Sequence, residues 1–548
     1  MHYKKMLMNL NIVLGVMVVP EKLYAHSNIN VVELTAEQAQ KDLQNKHYTS
    51  VELTQAFLKQ IDTYNPHYNA IITFNKNALQ DAAAIDQRRA QGEKLGPLAG
   101  IPVVIKDTID MKGLPTTAGW APLSDKSKGN NLIPEKDAPV ISRLKQAGAI
   151  ILGKTNVPIL SISATNANNS WAGATYNAVS YKHAPGGSSA GTATAIAGNF
   201  AILGLAEETG GSIQNPAAAQ ALVSIKPTFA LVPNTGVFPL ATSTRDVIGP
   251  HTKTVYDAAL TLDILAGYTA DDPKTKVSTQ YIPNQGYTHL LNKTALKGKR
   301  IGLYGAGWKK DTSLSQETQT LYDREIKQLK DLGAIIVSDP FLNSKFSSIA
   351  KLTPTPGIGG YDFRGSDSIA YDLQKYLENL GQQAKAKNLE QFKLLVKQDP
   401  FENQDLLAYI KTQPDFADSL KNPSKLPELK DFFKAKQDYI KIFNKVMDEN
   451  NLDVLVFPQM LTETPYLLSN DVIKESTVSE INIGGFPAVT VPAGYYKSGS
   501  AFSLIFISRL WDEANLLSYA YAYEQKTQHR KAPILMKNKQ DISKLSAK

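Results

Sequence analysis

Behind two threonines near the start of the chain, apolar positions recur at helical spacing. Thr35-x-x-Gln38 and Thr49-x-x-Glu52 both resemble capping boxes, in which a hydroxyl and a side chain three residues on satisfy the free N–H groups of a helix start. The second predicts a helix burying Val51, Phe57, Leu58 and Ile61, and residues 77 to 92 predict a third. The period then changes. Ile101 to Lys106 is an apolar run closed by a lysine and reads as a buried strand, Asp137 to Ala147 reads as a helix, and Ala149 to Leu152 reads as another strand. Ser189 to Asn199 is almost all Ser, Ala, Gly and Thr, with Ile196 as its one large apolar residue, so it predicts a helix able to lie close against a sheet. Phe200 to Ala206 predicts a strand leading into the turn Thr209-Gly210-Gly211-Ser212, and Asn215-Pro216 fits a helix cap followed by proline at the first helical position. Lys299 to Tyr304, a helix over 315 to 332 and Ala334 to Val337 repeat the strand-helix-strand pattern. Such alternation predicts an α/β fold with one layered core.

Composition narrows the chemistry. The 548-residue chain is 43% hydrophobic, ample for a large core, and its net charge of +8 is spread along the sequence with no nucleic-acid motif beside it. No nucleic-acid partner is therefore expected. The absence of cysteine excludes disulfides, thiolate metal sites and a cysteine nucleophile. The eight histidines show no metal-binding spacing, so neither a metal nor another cofactor is expected, and none of them sits in a recognisable catalytic motif. Gly305-Ala306-Gly307 lacks the full dinucleotide-binding spacing. Lys4 and Lys5, the mostly apolar run Met6 to Val19 and the small residues of Ala25-His26-Ser27 read as a signal peptide over residues 1–27. Its apolar part is short for a membrane span, so the mature chain is expected to lack one and to be secreted or associated with the cell envelope. Residues 28–540 are expected to form one domain, with the lysine-rich, mostly helical stretch 340–450 shaping a substrate entrance.

Two glycine-lined serines and one lysine carry the candidate chemistry. Ser188 lies in Gly186-Gly187-Ser188-Ser189, and Ser212 closes Glu208-Thr209-Gly210-Gly211-Ser212. Lys106 ends a strand expected to be buried, where an ammonium needs partners or a lowered pKa, and the latter makes lysine a general base. Glycines in the second turn let the backbone N–H groups of Thr209, Gly210, Gly211 and Ser212 converge on a developing oxyanion.

These residues resemble the amidase signature family of serine hydrolases, in ordered motifs spanning roughly residues 30 to 535. The match includes Gly100 to Asp107, Asp137-Ala138-Pro139, Gly153-Lys154-Thr155-Asn156, both glycine-serine loops, Lys226-Pro227-Thr228, Asn482 to Ala488, Val491-Pro492-Ala493-Gly494, Glu513-x-x-Leu516-Leu517 and Tyr523-Glu524-Gln525. The resemblance implies a large mixed central β-sheet covered on both faces by helices. It also implies a Ser212–Ser188–Lys106 relay, with Ser188 held by a cis peptide bond after Gly187, acting on a small-molecule or peptide amide through an acyl-serine. Asn156 is expected to hold backbone near the site, and Ser189 to bond within the glycine loop. The chain departs from the family pattern at Glu208, at Gln214 where arginine is usual, at Gln220 to Ile225 and at Pro158 to Ser161. Glu208-Thr209 with Gly211-Ser212-Ile213 is similar to the peptide-amidase-like branch, as are Ser170 to Gly173 and Tyr176-Asn177. The expected activity is an exported amidase acting as a monomer or homodimer through a mostly apolar cleft. The alternatives are an amidotransferase A-type subunit, or a catalytically silent envelope or binding protein on the same fold.

Overall fold

In the computed structural model, which describes residues 29–310, 313–355, 359–402 and 407–537, eleven strands join into one mixed sheet. The signal peptide expected over residues 1–27 lies outside the described residues. The strands in chain order are β1 (Ile71–Phe74), β2 (Pro102–Lys106), β3 (Ile150–Thr155), β4 (Leu203–Glu208), β5 (Val223–Lys226), β6 (Val247–Thr252), β7 (Arg300–Leu303), β8 (Ile335–Val337), β9 (Thr353–Thr355), β10 (Gly359–Tyr361), β11 (Val454–Pro458), β12 (Ala488–Tyr495) and β13 (Ala501–Ile507). Across the sheet they run β1-β3-β2-β4-β6-β5-β12-β13-β11-β7-β8, while β9 and β10 form a separate hairpin. β2 is parallel to β3 and β4, and β7 is parallel to β8 and β11; the pairs from β4 through to β11 are antiparallel. Every residue of β2, β3, β4 and β6 is buried. Because successive side chains leave a strand on opposite faces, burial of all of them means that both faces are covered.

Local chemistry sets the element ends, with some departures from expectation. Thr49 and Glu52 complete a capping box for the helix Ser50–Tyr68. Thr35 caps the helix Ala36–Gln44, but Gln38 turns its amide to Asp42, so that box closes on one side only. β4 begins and ends later than the apolar run predicted, because Glu207 and Glu208 pair with Ile248 and Val247 of β6 and are drawn into the ladder. Asn215 is not a helix cap either. The helix Gln214–Ala219 begins before it, and the Glu208 carboxylate takes the N–H groups of Ile213 and Gln214 at 2.8 and 3.2 Å. A carboxylate there does the capping expected of Asn215.

The small-residue helix Ala190–Ala197 packs on β2, β3 and β4, as its composition implies. At Gly191 a Cβ would sit 2.3 Å from the Asn156 backbone nitrogen, so nothing larger than glycine allows this approach. Beyond β8 the chain forms the helices Ile369–Asn379, Leu389–Val396 and Lys430–Glu449. The first two contribute Leu373 and Phe392 to an apolar cluster with Trp120, Leu160, Phe238 and Phe363, separate from the core of the main sheet. No helix among the described residues is long and apolar enough to cross a membrane.

Candidate active site

Lys106 is the last residue of β2, and the adjacent parallel strand β4 ends in Glu207 and Glu208. Their carboxyl ends therefore lie at the same edge of the sheet, where loops are free to build a site. The Gly187-Ser188-Ser189 loop enters from the start of the helix Ala190–Ala197, and the turn Thr209 to Ser212 follows β4 directly.

Lys106 is fully buried, and its Nζ has three neighbours. It donates to Ser188 Oγ at 2.6 Å, to Glu207 Oε2 at 2.7 Å and to the Glu207 backbone oxygen at 3.0 Å. Sequence reasoning expected either partners or a lowered pKa for this lysine, and both are present. Burial pushes Lys106 below the ordinary lysine range, against the pull of Glu207, Asp246 and Glu208. Burial likewise raises the Glu207 carboxyl, against Lys106 beside it. A buried ammonium and carboxylate both lose hydration, so each is driven toward its neutral form.

The Gly187–Ser188 peptide bond is cis. A Cβ on Gly187 would lie 2.4 Å from the Ser163 carbonyl oxygen, which leaves no room for a side chain. Ser188 is fully buried, whereas Ser212 is 6% exposed and lines a pocket with its neighbours Thr209 and Gly210. Among the described residues no hydrogen bond joins Ser212 Oγ to Ser188, and the N–H groups of Gly210, Gly211 and Ser212 have no protein acceptor. The pocket's other walls include Ile162, Leu240, Tyr361, Phe363, Leu407 and Ile410. It is mostly apolar, with serine hydroxyls and the half-buried acid Glu475 among the lining.

Supporting residues divide into those the sequence located and those it did not. The Asn156 side chain donates to the Gly173 carbonyl at 2.8 Å and to Thr175 Oγ1 at 2.9 Å, and accepts from Ser170 Oγ at 2.6 Å. It ties loops together. Ser189 does not bond within its own loop; its hydroxyl donates to the Glu207 backbone oxygen at 3.3 Å, because the start of the helix turns it toward β4. Gln214, in place of the usual arginine, gives its amide to Glu208, which also accepts from Asn482 at 2.8 Å. Sequence reasoning missed Glu207, Asp246, Tyr361 and Glu475. Asp246 holds the Thr209 hydroxyl at 2.6 Å, and Arg245, itself buried, donates to the Tyr361 hydroxyl at 3.0 Å. Tyr361 lies against Gly210 so closely that a Cβ there would be 2.5 Å from its ring. Two adjacent glutamates closing an apolar strand were the one local signal available. His251 is buried and neutral, its pKa pushed down to about 4 by burial, and it contacts the Ile213 carbonyl at 2.8 Å.

Known proteins resemble this chain over most of its length. Residues 52–517 match the family model described as Amidase. The A-type subunit of a glutamyl-tRNA(Gln) amidotransferase from Rippkaea orientalis is 30% identical over 515 residues, covering 90% of this chain and 98% of the relative. A probable amidase of Arabidopsis thaliana is 29% identical over 526 residues, covering 92% of each. Among solved structures, the native peptide amidase of Stenotrophomonas maltophilia superposes with a TM-score of 0.72 at 29% identity, over 92% of this chain and 99% of that one.

Proposed function

This chain belongs to the amidase family, and from that premise we propose that it hydrolyses carboxylic amides with Ser212 as the nucleophile. Ser188 takes the Ser212 proton while passing its own to Lys106, and Ser212 Oγ forms a bond to the amide carbonyl carbon. The oxyanion that develops faces the N–H groups of Thr209, Gly210, Gly211 and Ser212, and stabilisation of this kind usually contributes most to such catalysis. The proton held by Lys106 returns through Ser188 to the departing amine as the C–N bond breaks. Water then cleaves the acyl-serine by the same route in reverse. The observation that carries this reading is the fully buried Lys106 Nζ, 2.6 Å from Ser188 Oγ, beside a pocket with Ser212 in its wall. The apolar lining favours amides with apolar or aromatic substituents, peptide amides among them. The leader-like first residues support work outside the cytoplasm.

A second reading is supported by the relatives named as amidotransferase subunits. In it the same relay releases ammonia for a partner protein to use. Co-purification with such partners, and an amide hydrolysis rate that rises when they are added, would favour it over a free-standing amidase.

The test needs no known substrate. Treating the full chain with a serine-directed fluorophosphonate and mapping the adduct by mass spectrometry is expected to give one adduct, on Ser212, that Lys106→Ala loses. A folded chain that takes no label would favour a silent scaffold.

A further inference from the structure

The three neighbours of Lys106 Nζ are not chemically alike. The Glu207 backbone oxygen can only accept, and so can its carboxyl group when ionised; the Ser188 hydroxyl can either accept or donate. A neutral amine has two N–H bonds and one lone pair. With both N–H bonds directed at oxygens of one residue, the lone pair is left pointing at Ser188. We propose that Glu207 is the positioning residue of this site, aiming the Lys106 lone pair at Ser188 and setting the pH at which that lone pair becomes available. The proposal rests on the relay reading of Ser212, Ser188 and Lys106.

Other charges facing the pair do not duplicate this role. Glu208, next in β4, is committed to the N–H groups of Ile213 and Gln214 and to Asn482. Asp246, just before β6, accepts from Thr209 and from the backbone N–H groups of Leu240 and Ala241. His251 of β6 is neutral above its lowered pKa of about 4. Asp107, following Lys106 in the chain, pairs with Lys154 of β3 at 3.3 Å. Glu207 is left as the carboxyl in direct contact with the amine, at 2.7 Å.

A carboxylate beside the amine stabilises the ammonium, so the wild-type chain must reach higher pH before Lys106 can accept a proton. Glutamine keeps an acceptor oxygen and removes the charge. In Glu207→Gln the acid limb of the labelling rate is therefore expected to move to lower pH by about one unit or more. Glu207→Asp keeps the charge and shortens the reach; its limb is expected within about half a unit of wild type, with a plateau lowered at least about tenfold by the misplaced amine.

The experiment measures the second-order rate of fluorophosphonate labelling at Ser212 from pH 5 to 10 for the full wild-type chain and both variants. Coincident acid limbs for wild type and Glu207→Gln overturn the proposal alone. A wild-type chain that folds but never labels overturns the relay reading and this proposal with it. If the glutamine variant does not fold, the aspartate variant decides: a wild-type plateau would show that nothing depends on where this carboxyl sits.

Discussion

Replacing Ser212 by alanine removes one oxygen from a side chain that makes no hydrogen bond to the protein among the described residues, yet that oxygen is the proposed nucleophile. Turnover of an amide substrate is expected to fall by at least about 10³-fold, the scale seen when a serine nucleophile is deleted. Stability should change by less than about 0.5 kcal/mol, since no packing or polar partner is lost. Parallel kinetics and calorimetry check both; a comparable loss of stability would mean that the activity fell through unfolding. At this scale much of the site was legible. Lys106, Ser188 and Ser212 each stand out from their surroundings: a charge closing an apolar run, and hydroxyls set among glycines. Glu207 is hidden because the apolar run closes at Ala206, one residue before it, while the strand itself continues to Glu208. Asp246 and Tyr361 reach the site from distant segments, and nothing in their local sequence marks the contact.

At the scale of elements, the aromatic cluster beside the pocket ties the Leu389–Val396 helix to the rest of the fold. Phe392, fully buried, lies 6.2 Å from the Trp120 ring and 6.3 Å from that of Phe238. Phe392→Ala is expected to cost about 3 to 5 kcal/mol in denaturant unfolding, as large-to-small core changes do. It should also raise KM more than it lowers kcat, because Leu240 and Phe363 of the pocket wall pack in the same region. An unchanged KM in a destabilised variant would separate this cluster from substrate binding. The elements found from sequence include the capped helices, the helices Ala78–Ala90, Pro139–Gln146 and Gln316–Asp331, the strands β2, β3, β7 and β8, and the small-residue helix, this last from its composition. β6, Val247–Thr252, is not among the elements read from the sequence, and it carries Gly249 and Pro250 in its middle. In the structure Pro250 stands opposite Leu205 in the ladder, and a Cβ on Gly249 would come within 1.9 Å of the Ile225 carbonyl oxygen. Tertiary crowding selected residues that strand propensity disfavours.

Over the whole molecule, buried ionisable groups couple stability to pH. Glu524, on the helix Glu513–Thr527, accepts from the Val255 N–H at 2.8 Å and so joins that helix to the helix Val255–Leu265. Burial pushes its carboxyl up to about 7 from the ordinary glutamate value of 4.5. Between those values the folded state holds a proton that the unfolded state releases, so the stability this group contributes at low pH is lost as pH rises toward and through 7. Glu524→Gln keeps the acceptor without the charge. It is expected to match wild type in thermal unfolding at pH 4, below both values, and to exceed it at pH 8 by up to about 3 kcal/mol. Equal stability at both pH values would place the ionised carboxyl in a better-solvated setting than its burial implies. The sealed position of Lys106 bears on handling as well as on catalysis. Lysines such as Lys327, Lys421 and Lys430 stand in solvent, whereas Lys106 is enclosed with protein atoms on every side of its nitrogen. Acylating reagents and aldehyde-bearing resins find the outer amines first, so the protein can be tethered to a support through its own surface while the amine at its centre stays untouched.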